Sequence, residues 1–401
     1  MRGCVLSKEF FVPHDAPHPE PLTELRKMNP TIRSQFAATE TVAYLNSAAV
    51  APPPKAAINA VLSQLEDVSM HGSAGFGAWI ETKKRCRALM AEMLGCEMQQ
   101  VAFLRNTSDG FASIAAGLEW KSGDNIVSFA DEFPANFYAW RDVRDRHGVE
   151  LRLAPERNGR IDLDELVSLI DRNTRVVTIS SVQFASGFRS DLARIAEAAQ
   201  RVDALFCVDL IQGLGAHGYD LPGLGVDVAC GASHKWLCAP EGVGYIYLSD
   251  HARERISPRL VGWVSVEDAW DFADREQNFK PNALAWESGT GPSALFYGLE
   301  QSLKLLLEAD LAKVEAHLDE LTNYLCEKVL AKNYELVSSR KDGERSAIVC
   351  VRHRGGLEPA EIAAHLEKEN VIVSPRLDRL RIAPHFFNNV EDIDRLAEAL
   401  L

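Results

Sequence analysis

Several features of membrane-bound and exported proteins are missing from this sequence of 401 residues. It contains no stretch of about 18 consecutive apolar residues, the length that a membrane-spanning helix needs. The segment from Met1 to Pro13 also lacks the apolar core of about 7 to 15 residues and the small-residue cleavage site of a signal peptide. We therefore expect a cytoplasmic protein with no membrane partner.

Cysteine pairs with metal-binding or redox spacing are absent as well. The eight cysteines include no CxxC pair, and a chain of this length can form a core without disulfides. We expect reduced thiols at Cys4, Cys86, Cys96, Cys207, Cys230, Cys238, Cys326 and Cys350. No HExxH or CxxC spacing supports a hydrolytic metal centre, so no metal is predicted. The ligands available to such a centre would be Asp209, His217, Cys230, His234 and Cys238.

Runs of basic residues are missing too. Lysine and arginine number 43 against 57 aspartates and glutamates, which gives a formal net charge of −14. Such a chain repels nucleic acid phosphates unless it displays a basic patch, and the sequence shows none. With 46% hydrophobic and 25% charged residues the composition is that of a globular protein, and nucleic acid is not an expected partner.

Between about Tyr44 and Leu248, short apolar runs alternate with segments of helical periodicity. This alternation predicts an α/β fold with a large, mainly parallel, seven-stranded sheet covered by helices. The strand candidates are Val101–Leu104, Ile126–Phe129, Val149–Leu153, Val176–Ser181, Ala204–Asp209, Val226–Cys230 and Val243–Leu248. The helix candidates are Pro134–His147, Leu163–Asp171 and Asp191–Val202.

A different pattern follows a polar and aromatic stretch from Glu267 to Pro292. Helices and strands of a smaller α+β domain are predicted at Ser293–Glu308, Leu311–Leu330, Tyr334–Val337, Ala347–Arg352, Val371–Ser374 and Val390–Leu401. We therefore predict a proline-rich arm over residues 1–43 that packs with the small domain, a large domain over residues 44–292 and a small domain over residues 293–401.

Two predicted strands lead into residues that carry chemistry. Asp209 ends one strand, and Lys235 follows the next in a Ser-His-Lys turn. Open α/β sheets bind ligands at the carboxyl ends of their strands, so both side chains are expected in one crevice. An amine and an acid so placed suit pyridoxal phosphate, which forms a Schiff base with a lysine and pairs its pyridinium nitrogen with a carboxylate. Taken alone, each residue is more often a strand-end acid or a solvated lysine.

Two further loops meet other needs of this cofactor. Thr107 and Ser108 open a helix after the strand Val101–Leu104, where hydroxyls and backbone N–H groups bind phosphate well. The alternative is a plain helix cap. Phe133 follows the strand Ile126–Phe129 and is placed to lie flat on the pyridine ring, unless it is a core aromatic.

Six motifs then occur in one order along nearly the whole chain. They are Tyr44-Leu-Asn-Ser-Ala-Ala49, Arg105-Asn-Thr-Ser-Asp-Gly110, Cys207-Val-Asp-Leu-Ile-Gln212, Ser233-His-Lys-Trp-Leu-Cys-Ala-Pro-Glu-Gly-Val-Gly244, Glu287-Ser-Gly-Thr290 and Arg381-Ile-Ala-Pro-His-Phe-Phe-Asn388. Together they resemble the class V aminotransferase and cysteine desulfurase superfamily of fold type I pyridoxal phosphate enzymes. The resemblance implies that fold, pyridoxal 5'-phosphate as cofactor and an amino acid as substrate.

The resemblance also implies roles for individual residues. Lys235 resembles the Schiff-base lysine, Asp209 the partner of the pyridinium nitrogen and Gln212 the partner of the ring hydroxyl. Arg381 resembles the arginine that binds the substrate α-carboxylate through its bidentate fork. The residues that resemble phosphate ligands are Thr107, Ser108, Ser233 and His234, with Gly289 and Thr290 lent by the second subunit of a homodimer.

Three departures limit what the resemblance can transfer. Phe133 stands where desulfurases stack a histidine on the ring, and a phenyl ring cannot transfer protons. Phe184 stands where many members have an asparagine, which leaves Gln212 as the main partner of the ring hydroxyl. The segment from Val373 to Leu380 has no cysteine, although a desulfurase needs a mobile thiolate there. Desulfurase activity is therefore disfavoured.

The expected chemistry begins when Lys235 removes the α-proton of an amino acid whose carboxylate Arg381 holds. These residues define only the first half of the reaction. Amino transfer is favoured by analogy with the family, and a carbon–sulfur lyase or an amino-acid epimerase is the alternative. Arg376 and Arg379, close to Arg381 in sequence, could serve a second carboxylate or could be solvated.

Two other classes of protein are disfavoured. The pattern Gly213-Leu-Gly-Ala-His-Gly218 formally matches a dinucleotide-binding loop, but Gly218 and Pro222 would break the helix that binds the pyrophosphate. A non-catalytic descendant of the fold would have no reason to retain the lysine, the acid, the phosphate loop and the arginine together.

Overall fold

The computed structural model describes residues 30–401. The helices are α1 (Pro30–Arg33), α2 (Lys55–His71), α3 (Phe76–Leu94), α4 (Thr107–Gly117), α5 (Pro134–His147), α6 (Leu163–Ser168), α7 (Leu192–Gln200), α8 (Asp250–Arg255), α9 (Ser293–Ala309), α10 (Leu311–Leu330), α11 (Pro359–Lys368) and α12 (Val390–Ala399). Short 3₁₀ helices occur at Ala37–Glu40, Gly72–Gly75, Met98–Gln100 and Ala283–Trp286.

The strands belong to two main sheets and two short ribbons. They are β1 (Ala43–Tyr44), β2 (Val101–Leu104), β3 (Asn125–Phe129), β4 (Glu150–Ala154), β5 (Glu156–Arg157), β6 (Arg160–Ile161), β7 (Thr174–Ser180), β8 (Leu205–Asp209), β9 (Val228–Ala232), β10 (Gly244–Leu248), β11 (Tyr334–Leu336), β12 (Val349–His353), β13 (Val371–Ile372), β14 (Ser374–Arg376) and β15 (Arg379–Ile382).

The large sheet has seven strands in the order β2-β10-β9-β8-β7-β3-β4. Strand β10 runs antiparallel to both of its neighbours, and the other adjacent pairs are parallel. All seven strand candidates lie in this sheet, so the predicted α/β fold with a large, mainly parallel sheet is confirmed. The carboxyl ends of β2, β3, β7, β8 and β9 consequently share one edge.

Helices cover both faces of the large sheet, which explains the continuous apolar runs in its strands. In β8, Leu205 and Cys207 belong to one core cluster, whereas Phe206 and Val208 belong to the other. Successive side chains of a strand point to opposite faces, so a strand buried on both sides needs apolar residues at every position. Asp209 ends this run and is the only charged residue of β8.

The chain after Ser293 contains an antiparallel sheet in the order β11-β12-β15-β14. Its core packs leucines and isoleucines of α10, α11 and α12 against this sheet. The predicted strand Val371–Ser374 is divided, because β13 pairs in parallel with β1 while β14 pairs with β15. One extended segment therefore serves two different partner strands.

The first described residues contact the C-terminal part of the chain. Arg33 forms an ion pair with Asp392 at 2.7 Å, and the Phe36 ring stacks on Phe387 with centroids 4.3 Å apart. Residues 1–29 of the predicted arm lie outside the described range. The division of the chain into an arm and two domains stays a prediction.

None of the helices in residues 30–401 combines the length and the apolar character that crossing a membrane requires.

Candidate active site

The carboxyl edge of the large sheet borders a cavity of about 320 Å³. Thr107 reaches it from the end of β2, Phe133 from the loop after β3, and Lys235 from the turn after β9. Asp209 lines it from the last position of β8, and Arg381 lines it from β15 of the four-stranded antiparallel sheet. Thr107, Phe133, Asp209 and Lys235 meet here because the parallel strands that carry them end at one edge of the large sheet.

Asp209 presents one unpaired carboxylate oxygen in this cavity. The side chain is buried, and its Oδ1 accepts a hydrogen bond from the N–H of Ile211 at 2.9 Å. Its Oδ2 has no partner among the described residues. Burial raises the pKa of Asp209, with a smaller contribution from Glu132, against the lowering effects of the Ile211 N–H and of Lys235. A cationic N–H donor at Oδ2 would stabilise the charged carboxylate.

Glu132 holds the loop that carries Phe133. Its Oε1 accepts the backbone N–H of Ser180 at 2.6 Å and the Gln183 amide at 2.9 Å, and its Oε2 accepts the Ser180 hydroxyl at 2.6 Å. Burial raises the pKa of Glu132, which these hydrogen bonds partly counteract. Because both oxygens are satisfied, Glu132 acts as a fixed support that joins the ends of β3 and β7.

Lys235 is a buried amine that faces an aromatic ring. Its Nζ lies 5.3 Å from the centre of the Phe133 ring. The turn that carries it is closed by a hydrogen bond from the Cys238 N–H to the Lys235 carbonyl at 2.9 Å. Burial lowers the pKa of Lys235, and the two nearby arginines lower it further, against the raising effect of Asp209. A lysine with a lowered pKa has more of the neutral, nucleophilic form at neutral pH.

The first turn of α4 forms the end of the cavity best suited to an anion. Asn106 caps this helix by accepting the Asp109 N–H at 2.9 Å. The Thr107 hydroxyl is buried without a hydrogen-bond partner among the described residues, and Ser108 lines the cavity beside it. His234 lines the same cavity, with a pKa lowered by burial and by the neighbouring Lys235. These donors, together with the helix N-terminus, can hold a phosphate.

Gln212 is oriented by two hydrogen bonds. Its Nε2 donates to the Ala48 carbonyl at 3.0 Å, and its Oε1 accepts from the Trp236 indole N–H at 2.9 Å. His385, from the small domain, lies 2.9 Å from the Trp236 carbonyl through its Nε2. The Gln212 amide therefore keeps one N–H for a ligand, in an orientation that Trp236 and Ala48 determine.

Arg381 presents an unpaired edge of its guanidinium. The side chain is buried, and Nη1 donates to the Phe184 carbonyl at 2.9 Å, while Nε and Nη2 have no partner among the described residues. Burial lowers the pKa of Arg381 to about 10, and the neighbouring Arg376 contributes. Two free parallel N–H groups match a carboxylate.

Three of the predicted site residues do not line this cavity. The Ser233 hydroxyl is buried and donates to the Pro240 carbonyl at 2.6 Å. Thr290, with Gly289 beside it in sequence, lies on a separate cavity of about 450 Å³ whose lining includes Trp263 and Trp270. Within a single chain, therefore, Ser233, Gly289 and Thr290 do not line the Lys235 cavity, and their roles stay predictions.

Three further residues line the cavity, of which the sequence left Arg376 between a second carboxylate and solvent, gave Phe184 no contact with the cofactor and assigned Asn106 no role. Phe184 contacts Phe133 edge to face at 5.2 Å and gives the wall two aromatic rings. Arg376 also lines the cavity, although the sequence did not separate it from Arg379. Asn106 is the third of these lining residues, and its position directly before Thr107 was the one feature of the sequence that indicated it.

The glycine pattern after β8 does not start a helix. Residues 210–226 form turns, so the helix that a dinucleotide-binding loop requires is absent from this part of the described chain. Gly215 has φ of 102°, and a Cβ there would lie 2.2 Å from the Trp236 carbonyl oxygen. Because Gly215 has no side chain, the loop after β8 can lie close to the turn that carries Lys235.

The donor set around the cavity fits pyridoxal phosphate. Asp209 Oδ2 is a buried acceptor and the Thr107 hydroxyl a buried donor, both without a partner among the described residues, and Lys235 lines the same cavity. Phe133 supplies an aromatic surface for a planar ring. Each polar part of that cofactor would thus find a group with unused hydrogen-bonding capacity.

The profile described as "Aminotransferase class-V" matches residues 43–375 of this chain. An "Uncharacterized aminotransferase YcbU" from Bacillus subtilis is 24% identical, covering 92% of this chain and 95% of that protein. A "Probable cysteine desulfurase" from Pseudomonas aeruginosa is 28% identical, covering 92% and 94%. Each match covers almost the full length of the relative.

Solved structures show the same fold. The apo cysteine desulfurase from Thermococcus onnurineus superposes with a TM-score of 0.84 at 19% identity, covering 93% of this chain and 97% of that one. A complex of the cystine C-S lyase C-DES with cysteine persulfide gives a TM-score of 0.84 at 20% identity, covering 91% and 98%. A mutant of C-DES carries glycine covalently linked to its PLP cofactor.

Proposed function

The chain belongs to the class V aminotransferase family of pyridoxal phosphate enzymes, and we propose that it transfers the amino group of an amino acid. In this proposal Lys235 holds the cofactor covalently, Asp209 pairs with the pyridine nitrogen, and Gln212 donates to the ring hydroxyl. Phe133 lies against the ring. The phosphate is held by Thr107, Ser108 and His234, next to the buried Ser233. When bound, the cofactor takes up the electron pair that is left when the α-carbon loses its proton.

The protein groups divide the work of the reaction between them. Arg381 binds the α-carboxylate through Nε and Nη2 and thereby fixes the direction of the bonds at the α-carbon. Lys235, released from the cofactor, removes the α-proton, because its lowered pKa leaves a neutral amine available as a base. Phe133 and Phe184 keep water away from this side of the cavity.

One observation favours amino transfer over epimerisation. Among the described residues, Lys235 is the only amine that lines the cavity, and Phe133, the ring it faces, has no exchangeable proton. A single amine can take a proton and return it to a neighbouring carbon on the same face, which is the proton movement of amino transfer. Epimerisation requires a proton donor on the opposite face of the α-carbon.

Several relatives are named as cysteine desulfurases, yet we place that activity below amino transfer. In residues 30–401, no cysteine lines the cavity. Cys350 is buried with its Sγ 3.2 Å from the Ala185 carbonyl, and burial raises its pKa to about 11. Such a thiol is protonated and immobile, which is the opposite of a sulfur-accepting thiolate. Cys4 lies outside the described residues.

We also propose a cytoplasmic homodimer. Exposed aromatic side chains gather where Thr290 lies, and Trp270 is in edge contact with both Trp263 and Phe76. Trp270 is 55% exposed and Phe272 is 60% exposed in the single chain. Aromatic surface of this kind is typical of an interface between proteins. A second copy that covers it could place Gly289 and Thr290 against the partner's phosphate site.

Product analysis tests the proposed reaction. The cofactor-loaded enzyme is incubated with a panel of L-amino acids and a keto acid acceptor, and the products are separated by chiral chromatography. We expect a new L-amino acid and the matching keto acid in equal amounts from wild type and from the surface control Lys121→Ala, and none from Lys235→Ala. Sulfide or ammonia with pyruvate would assign a lyase instead, and an inverted amino acid would assign an epimerase.

A further inference from the structure

Three arginines share one face of the β14–β15 hairpin. Arg376 pairs with Arg379 across the two strands, and Ser374 pairs with Arg381. Cross-strand partners point to the same face, and so do alternate residues of one strand. The face that carries Arg376, Arg379 and Arg381 is the one turned to the large domain, because Arg379 and Arg381 both bond to residues there.

The three side chains differ in what balances their charge. Arg379 forms ion pairs with Asp378 at 2.8 Å and with Glu156 at 3.1 Å, and it does not line the Lys235 cavity. Arg376 does line it, and its Nη1 donates only to the carbonyl of Pro375 at 2.7 Å. Within residues 30–401, neither Arg376 nor Arg381 has a carboxylate within ion-pair distance.

The charges around the cavity therefore leave one cation without a counterpart. Among the described residues, Asp209 is the one carboxylate in the lining, and the proposed function assigns it to the pyridine nitrogen. The α-carboxylate of an amino acid would balance Arg381. Arg376, which is half-buried, would then still face the cavity unpaired, whereas charges taken out of water are usually paired. Burial lowers the pKa of Arg376 and Arg376 lowers that of Arg381, as expected for neighbouring cations without an anion.

We propose that Arg376 binds a second carboxylate, carried by the side chain of the substrate, so that the enzyme acts on acidic amino acids. The proposal rests on the proposed function in one respect, namely that Arg381 holds the α-carboxylate. The phosphate of the cofactor is an unsuitable partner for Arg376, because Thr107, Ser108 and the N-terminus of α4 already provide donors for it. Glutamine and asparagine have the shape of the acidic amino acids without the charge, so they isolate the effect of the second carboxylate.

The test measures binding. Dissociation constants of glutamate and glutamine, and of aspartate and asparagine, are determined by calorimetry with the cofactor-loaded protein. We expect wild type to bind the acid of at least one pair about 10- to 100-fold more tightly than its amide, the range of a hydrogen bond between charged groups. In Arg376→Gln this preference should fall to about twofold or less, while the affinity for the amide and the visible spectrum of the bound cofactor stay as in wild type.

Two further variants provide controls. Arg379→Gln changes the same residue type on the same face and should keep the preference of wild type. Arg381→Gln should weaken the acid and the amide alike, because both have an α-carboxylate. Equal affinity for acid and amide in wild type, a preference that survives in Arg376→Gln, or a loss of cofactor from Arg376→Gln would each overturn the proposal. Because the readout is a ratio of binding constants, it stands whether the bound amino acid is then transaminated, cleaved or epimerised.

Discussion

Replacement of Arg381 by lysine separates charge from geometry in substrate binding. In the structure the guanidinium offers Nε and Nη2 to the cavity while Nη1 is held by the Phe184 carbonyl. A lysine keeps the positive charge but has a single compact head, so it cannot serve the substrate and Phe184 at the same time. At least one charged hydrogen bond is lost.

The expected loss of binding affinity follows from the one charged hydrogen bond that the variant loses. One hydrogen bond to a charged group contributes about 1.5 to 3 kcal/mol, so the dissociation constant of an α-amino acid should rise roughly 10- to 100-fold in Arg381→Lys. The primary amine that corresponds to the decarboxylated amino acid should bind wild type and variant alike. Cofactor loading should not change, because Arg381 lies on β15 of the antiparallel sheet and the proposed cofactor contacts lie at the edge of the seven-stranded sheet.

Titration of the cofactor-loaded enzyme with amino acid and with amine, followed by visible absorbance, measures both constants. Equally tight binding of the amine and the amino acid by wild type would refute this role of Arg381, since no residue would then recognise the carboxylate. An Arg381→Lys enzyme with the affinity of wild type would show that another group, with Arg376 as the nearest candidate, holds the α-carboxylate.

Three further predictions concern the cofactor, the packing and the assembly. Asp209→Ala should fold as wild type does by circular dichroism. Its turnover should fall about 10- to 1,000-fold, because a neighbouring opposite charge shifts the pKa of its partner by about one to three units. Near-normal turnover would show that another acid protonates the ring. Gly110→Ala should lower the free energy of unfolding in urea by about 1 to 3 kcal/mol, because its Cβ would lie 2.5 Å from the Cys230 Sγ, and Cys230→Ala should recover part of that loss. Light scattering should give twice the mass of one chain for wild type and a monomer for Trp270→Glu, whereas a fully active monomeric wild type would contradict the composite site.

The positions of the strands were predictable because burial on both faces requires uninterrupted apolar residues. The predicted strand Val101–Leu104 has the observed bounds, and Ala204–Asp209 differs from β8 by one residue. No helix was predicted over the range of α2. Its sequence carries apolar residues at helical spacing, Ile58, Leu62 and Leu65, but these are exposed in the single chain, whereas Ala57 and Gln64 are the buried residues.

The cavity residues that end strands could be predicted for the same topological reason. Thr107, Asp209 and Lys235 each follow or end a strand of the large sheet, and the parallel order of the strands brings them together. Sequence order alone is sufficient for that inference, because the carboxyl ends of parallel strands meet at one edge.

The partners of polar groups were not predictable, because they depend on contacts between distant segments. Arg376 and Arg379 are equivalent in sequence, and only the position of Glu156 shows which of them is neutralised. Ser233 resembles a phosphate ligand, yet its hydroxyl is bonded to the Pro240 carbonyl within its own turn. A motif specifies the residue types of a site but not the hydrogen bonds they already make.

The covalent attachment of the cofactor to Lys235 is the claim on which the account depends most. The loaded protein is treated with borohydride, digested with trypsin, and its peptides are sequenced by mass spectrometry. The account predicts the mass of the reduced cofactor on Lys235 in wild type, and no labelled lysine in Lys235→Ala. A label on any other lysine, or a wild-type protein that retains the cofactor without a label, would contradict it.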